Sequence, residues 1–352
     1  MQGGSKALGT LILALALAAA WSSPVPAQDA APLTRIAFGS CAQQAKPQPI
    51  WDAVLDYRPE LFIFAGDNVY GDVTSAAMTE LAEAYARAAA IEGYAKVRTT
   101  VPVLATWDDH DYGQNDGGAE FAHKEAAKRL FLDFWQVPDD DPRRTRDGIY
   151  HARTFGPEGM RVQVILLDTR SFRSPLRSTS QPGSPGKGPY LPDPDPAKTM
   201  LGTAQWAWLR AQLMQPAELR LIVSSVQVLA EGHGWEGWGN LPLERAKLLD
   251  LIAEAGAGGV ILLSGDRHVG ALYQRRAGAR YGLYEITASG INMTYAANRE
   301  PGPLRLGAVY GAPNFGTIDI DWWAGEVRVS VRSMNGEPVR QLTIPLADLA
   351  GR

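Results

Sequence analysis

Four short polar clusters stand out along the chain: Gly39-Ser40-Cys41, Gly66-Asp67-Asn68-Val69-Tyr70, Trp107-Asp108-Asp109-His110-Asp111 and Gly265-Asp266-Arg267-His268. Each ends an apolar run and opens a loop. Together they offer several carboxylates, a thiol, a phenol and imidazole nitrogens, a donor set able to hold two or more metal ions that share a bridging carboxylate. Aspartates gathered this closely raise one another's pKa, so an ionised cluster needs a cation to persist. A plainer account has each Gly-Asp capping the helix behind it. Four such motifs in register argue against that account.

The elements that must position these residues are readable from periodicity. Arg35–Phe38, Leu61–Ala65, Val101–Thr106, Val162–Leu167, Leu221–Ser225 and Val260–Ser264 read as buried strands. Gln48–Leu55, Ala76–Ala90, Ala119–Trp135, Thr203–Leu213 and Leu243–Ala255 have helical spacing, and the first alternations predict a parallel or mixed sheet. Tyr284–Ala288, Phe315–Trp322, Glu326–Arg332 and Val339–Ile344 then alternate as an antiparallel meander. In such a layered α/β structure the polar clusters fall at the C-terminal ends of strands, where open sheets gather ligands. Ser174 to Lys198, rich in proline, glycine and serine, reads as an active-site flap or a surface excursion.

The 352 residues, 45% hydrophobic and 20% charged, exclude a disordered or low-complexity chain. A net charge of −4 supplies no basic field for gripping nucleic acid. One cysteine permits no intramolecular disulfide. Met1 to Ala27, with Lys6, an apolar run from Leu11 to Trp21 and the small-residue site Val25-Pro26-Ala27, reads as a secretory signal peptide. The run is short of the ~20 residues a membrane span needs. The mature protein is expected to start near Gln28 and to be secreted or periplasmic, with residues 28–352 forming a single domain.

A lone cysteine is by default a small core residue, but Cys41 follows the first strand, and binding iron or zinc would shield its thiolate from oxidation. Tyr70 as a phenolate suits trivalent iron. Arg170, in Asp168-Thr169-Arg170, can fork onto a phosphate or pair with Asp168. His233, on a glycine- and tryptophan-rich loop, reads as a surface histidine or a rim residue.

Taken in order, GSC, GDNVY, WDDHD, LDTRSFR from Leu167, LGTAQWAWL from Leu201 and GDRH resemble the alkaline phosphatase D-like (PhoD-like) metallophosphatases over nearly the whole mature chain. The resemblance implies a calcineurin-like metallophosphoesterase fold: α/β, a four-layer α/β/β/α sandwich of two mixed sheets flanked by helices. It implies hydrolysis of small-molecule phosphate esters at a multi-metal centre, with iron and calcium as the expected ions and zinc or manganese as alternatives. By position, Asp67 bridges two metals and Cys41 and Tyr70 bind iron. Asp109 takes the place of a metal-binding asparagine, and Asp108 is the ligand if the register slips by one. Asp266 and His268 match a GHxH motif, aspartate replacing its first histidine and hardening that site toward calcium. His110 matches the histidine that contacts the phosphate or protonates the leaving oxygen, with Asp111 expected to orient its ring. The implied nucleophile is a metal-bound hydroxide.

The chain departs from the wider superfamily where a histidine ligand gives way to Ser224-Ser225-Val226-Gln227. The family also includes enzymes acting on phosphodiesters and phospholipids, so a phospholipase D-type phosphodiesterase competes with a monoesterase. A catalytically silent metal- or glycan-binding protein is a third reading, prompted by the ten tryptophans. His110 and the full carboxylate set argue against it.

Overall fold

The computed structural model describes Met1 and residues 31–180, 188–276, 282–298, 300 and 302–350; the leader read over Met1 to Ala27 lies, apart from Met1, outside them. Two six-stranded mixed sheets face each other. The strands in chain order are β1 (Arg35–Gly39), β2 (Leu61–Ala65), β3 (Val103–Thr106), β4 (His151–Phe155), β5 (Val162–Leu166), β6 (Arg177–Ser178), β7 (Tyr190–Leu191), β8 (Leu219–Ser224), β9 (Val260–Ser264), β10 (Gly270–Arg275), β11 (Leu283–Ala288), β12 (Asn314–Asp321), β13 (Glu326–Ser333) and β14 (Pro338–Pro345). One sheet has the order β14-β13-β12-β1-β2-β3 and the other β10-β11-β9-β8-β5-β4; β6 and β7 form a separate ribbon.

Strand alternation builds the layers, because successive side chains point to opposite faces. Ile36, Phe38, Leu61, Ile63 and Ala65 pack inward against Val162, Val164, Leu166, Leu221, Val223, Ile261 and Leu263 of the second sheet. Their neighbours Ala37, Phe62 and Phe64 point outward onto a helical layer through Trp51, Val54, Leu81 and Tyr94. On the far side Ile165, Ile222 and Leu262 meet Trp206, Leu209 and Leu248 of the helices Gly202–Leu213 and Pro242–Glu254. Strands buried on both faces have to be apolar throughout, which is why LFIFA and VILLS carry almost no polar residue. The four-layer sandwich of two mixed sheets and flanking helices is the architecture expected from sequence.

β1, β2 and β3 run parallel, as do β5, β8, β9 and β11, so the C-terminal ends of β1, β2 and β3, and of β5, β8 and β9, carry the polar clusters. Three features differ from the sequence reading. The meander contains only β12, β13 and β14, whereas Tyr284–Ala288 lies in the other sheet, parallel to β9. Period-two alternation marks a strand without naming its partner. β4 and β10, antiparallel edge strands of the second sheet, lack a continuous apolar run. A helix at Glu92–Thr100 follows Thr79–Ala90 across the extended residue Ile91, and Ala119–Trp135 becomes helical only from Lys124.

Candidate metal centre

The chain turns sharply as it leaves the strands. Cys41, Asp67, Asp266 and His268 all hold positive φ, at 64°, 49°, 65° and 57°. Left-handed backbone is costly for residues with a Cβ, and such strain gathers at functional sites. Gly66, at φ 101°, leaves no room for a side chain: a Cβ there would come within 2.6 Å of the Asp108 Cβ. These turns aim the side chains at a common point. Cys41 Sγ and Tyr70 Oη lie 3.4 and 3.2 Å from Asp67 Oδ2, and Tyr70 Oη is 3.1 Å from His268 Nε2.

The donors fall into overlapping groups whose ligand atoms lie within 4.8 Å of one another: Cys41, Asp67 and His268; Asp67, Asp109 and His110; Asp108, Asp109 and Asp266. Asp67 and Asp109 are each shared between groups, the arrangement a bridging carboxylate requires. Asp108 Oδ2, Asp109 Oδ1 and Asp266 Oδ2 are buried and accept no hydrogen bond. A buried carboxylate oxygen without a hydrogen bond is expensive; Arg170 and Arg267 come no nearer than 3.9 and 4.0 Å to the Asp109 and Asp266 oxygens, and a cation fits the remaining capacity. The residues thus suit a metal centre by donor chemistry and by unmet bonding capacity.

Electrostatics agree. Burial pushes the Cys41 thiol up to about 12, and burial also raises Asp67 and Tyr70 well above their ordinary ranges. Burial, reinforced by Asp108 and Asp109 against the pull of Arg267, lifts Asp266 to about 8. Asp109 is the exception, held at about 2 because Arg170 and His110 outweigh its burial. Burial, then Arg267, His110 and Lys46, lower His268 to about 4, leaving a neutral imidazole fit to donate to a metal.

His110 lies beside the cluster with its ring stacked on Tyr70 at 4.2 Å, and its backbone N–H donates to Asp67 Oδ1. Its Nδ1 is 2.8 Å from Asp72 Oδ2. Burial alone would lower His110, but Asp109, Asp67 and Asp72 outweigh it and raise it to about 11. Asp111, expected to orient this ring, does something else. It accepts hydrogen bonds from the N–H groups of Asn68 and Asp108 and from the Asn68 amide, and so closes the turn beneath the cluster. Asp72 escaped the sequence reading because it lies outside the four motifs.

Arg170 was expected either to fork onto a phosphate or to pair with Asp168. Its side chain is instead wholly buried: Nε donates to Asp108 Oδ1 at 2.7 Å and Nη1 pairs with Glu236 Oε2 at 2.7 Å. The guanidinium forms a floor under the carboxylates, and only the Arg170 backbone N–H meets Asp168. Ser225 Oγ donates to the same Asp108 oxygen, so the position beside the missing histidine serves the floor too. His233 is buried rather than on the surface; its Nδ1 accepts the Trp235 N–H, and burial with Arg267 lowers it to about 3. Glu236 and Asp116 were not singled out from sequence, though Glu236 lies in the glycine-tryptophan loop that was, and Ser225 entered only as part of the segment that replaces a histidine ligand. The described part of Ser174–Lys198 docks here: Gly188 and Tyr190 donate backbone hydrogen bonds to His233 and Gly234, and Tyr190 Oη donates to Asp116 Oδ2 at 2.6 Å. Asp116 in turn donates its N–H to Asp109 Oδ2. The described part of the loop is therefore held against residues that border the centre.

Residues 36–305 match the family model of the PhoD-like phosphatases. The chain belongs to that family. Among solved structures it is similar to PhoD, at TM-score 0.69 and 16% identity over 92% of this chain and 70% of that one. It is also similar to purple acid phosphatase PPD1 from seeds of yellow lupin (Lupinus luteus), at 0.62 and 10% identity over 92% of this chain and 55% of that one. GAP50, the anchor in the inner membrane complex of Plasmodium, matches at 0.57 and 13% identity over 89% of each chain. At these identities the likeness is one of fold. No curated protein matches. As a family member, this PhoD-like phosphatase is a metal-dependent phosphoric ester hydrolase. Among its described residues no helix is long and apolar enough to cross a membrane.

Proposed function

We propose that this PhoD-like phosphatase is exported and releases phosphate from small organic monoesters or diesters at a centre holding iron and calcium. Cys41, Asp67, Tyr70 and His268 form the iron end, and Asp67, Asp109 and Asp266 the calcium end. The observation that carries this reading is the gathering of Asp108, Asp109 and Asp266, each with a buried carboxylate oxygen that accepts no hydrogen bond, beside a thiol and a phenol. When bound, such cations neutralise phosphoryl oxygens and lower the pKa of water from ~15.7 to about 7.

The chain's own residues supply the rest. His110 has Nδ1 committed to Asp72, which leaves Nε2 as the nitrogen facing an ester. Paired with Asp72, it can give a proton to the leaving oxygen. Asp72 fixes the ring and Tyr70 stacks against it, so the acid is oriented before substrate arrives. Arg170 and Ser225 hold Asp108 in place from below.

The test is elemental analysis of the purified, exported protein followed by a panel of monoester, diester and phospholipid substrates. Iron with calcium and turnover of monoesters or diesters supports the proposal. Zinc or manganese would keep the phosphoesterase but remove the iron assignment from Cys41 and Tyr70. Turnover of phospholipid alone would favour the phospholipase D-type reading, and no stoichiometric metal after reconstitution would overturn the centre. N-terminal sequencing of exported protein, with a start near Gln28 expected, tests the leader.

A further inference from the structure

Positive charge around the centre is almost entirely spoken for. Arg170 is buried against Asp108 and Glu236, Arg173 pairs with Glu236 at 3.2 Å, and Arg267 pairs with Glu300. Lys46 is the exception. It is exposed, and among the described residues its ammonium meets no carboxylate; its contact is Met293 Sδ at 2.9 Å.

Its position is fixed by the fold rather than by chance. Lys46 lies in the turn that follows Cys41, and Asn292 laces that turn to the segment after β11: its Oδ1 accepts the Gln43 N–H, and its Nδ2 donates to Gln43 O and Lys46 O at 2.8 and 3.2 Å. The same segment is tied to the centre, since the Met293 N–H donates to Cys41 O and the Tyr295 N–H to His268 O. Lys46 and the exposed Tyr295 therefore lie on two segments that are tied to each other and to the backbone of Cys41 and His268. An unpaired ammonium on a braced turn beside a phosphoryl site is a second anion contact, at little cost in ordering its backbone.

We infer that Lys46 is a specificity residue that selects phosphate esters whose leaving group carries a second anionic group, a carboxylate or another phosphate. This rests on the proposed phosphoesterase reading of the same centre. The cations hold the reacting phosphoryl group while Lys46 receives the distal anion, so its effect falls on KM and not on kcat.

The experiment uses the metal-loaded full chain and isosteric pairs that differ only in charge: 3-carboxyphenyl phosphate against 3-carbamoylphenyl phosphate for turnover, and 3-phosphonobenzoate against 3-phosphonobenzamide for calorimetric binding. The wild type is expected to favour the carboxylate by about fivefold in KM and in Kd, the size of an exposed ion pair, and the preference should shrink with added salt. Lys46→Gln should erase the preference and Lys46→Glu reverse it, both with kcat unchanged, while Lys46→Arg restores it. A wild type without the preference, or a Lys46→Gln variant that keeps it, overturns the inference. Lys46-dependent phosphonate binding without ester turnover would uphold Lys46 as the contact for a distal anion and sink the phosphoesterase reading instead.

Discussion

His110 Nδ1 lies 2.8 Å from Asp72 Oδ2, although Asp72 belongs to none of the motifs that flagged the site. The pair makes Asp72 a positioning residue for the imidazole. His110→Ala is expected to lower kcat by about two to four orders of magnitude, the span for losing an acid-base group. Asp72→Asn should cost less, about ten- to a hundredfold, as removal of an orienting partner does. It should also move the alkaline limb of the pH–rate profile to lower pH, because Asp72 is one of the charges that hold His110 at about 11. A profile with an unmoved limb would remove Asp72 from this role.

Arg170 tests the floor. The group has zero exposure and two carboxylates on its guanidinium, and stripping one partner from a buried pair costs about 3–5 kcal/mol. Arg170→Met should therefore destabilise the protein by about that amount in denaturant titrations. Arg170→Lys, which keeps the charge, should fold with a lowered Tm and a reduced kcat, yet bind inorganic phosphate within about twofold of wild type, since the loss runs through Asp108. Phosphate affinity lost with Tm unchanged would return Arg170 to direct contact with substrate.

Metal removal should make stability fall more steeply as pH rises. Asp266 is raised to about 8 in the folded protein, against about 3.9 when unfolded. Between those values the native state binds more protons, so the metal-free protein loses stability as pH rises through the window, and the penalty vanishes below about pH 4. Thermal melts with chelator should show a Tm lower by about 5 °C or more at about pH 8 than at about pH 5. Loaded protein should lose the part of this slope that Asp266 supplies, because the cation takes the place of the proton, while buried Asp111, also raised to about 8, keeps its share. A flat profile without metal would mean that the carboxylates are paired in another way.

What the sequence made legible follows from locality. LFIFA and VILLS are buried on both faces and are followed by Gly-Asp, so strand, turn and carboxylate are written within a few residues. Cys41, Asp67, Tyr70, Asp109, Asp266 and His268 are gathered at one edge because parallel strands present the same end. The orienting partners are a different matter. Asp72 meets His110, Glu236 meets Arg170, and Ser225 meets Asp108 across separations of 38, 66 and 117 residues, which no local pattern encodes. β4 was invisible for a related reason: HARTF sits at a sheet edge and needs no apolar run. Arg170 misled because a strand-end arginine looks the same whether it faces ligand or floor.

Cys41 offers the sharpest test of metal identity. With its thiol pushed up to about 12 by burial, Cys41 stays protonated at neutral pH unless a cation displaces the proton. Its Sγ and the Tyr70 Oη flank one oxygen of Asp67, at 3.4 and 3.2 Å, so in the proposed centre both donors would be within reach of one ion. Cys41→Ser and Tyr70→Phe should each lose at least about half of the bound iron, in keeping with the loss of a first-row metal's anionic ligand. Calcium should be retained in both, because Asp109 and Asp266 are untouched. Elemental analysis of each variant, with near-ultraviolet circular dichroism to confirm the fold, reads this directly. Iron content equal to wild type in Cys41→Ser would make Cys41 a packing residue and leave the ion to Asp67, Tyr70 and His268.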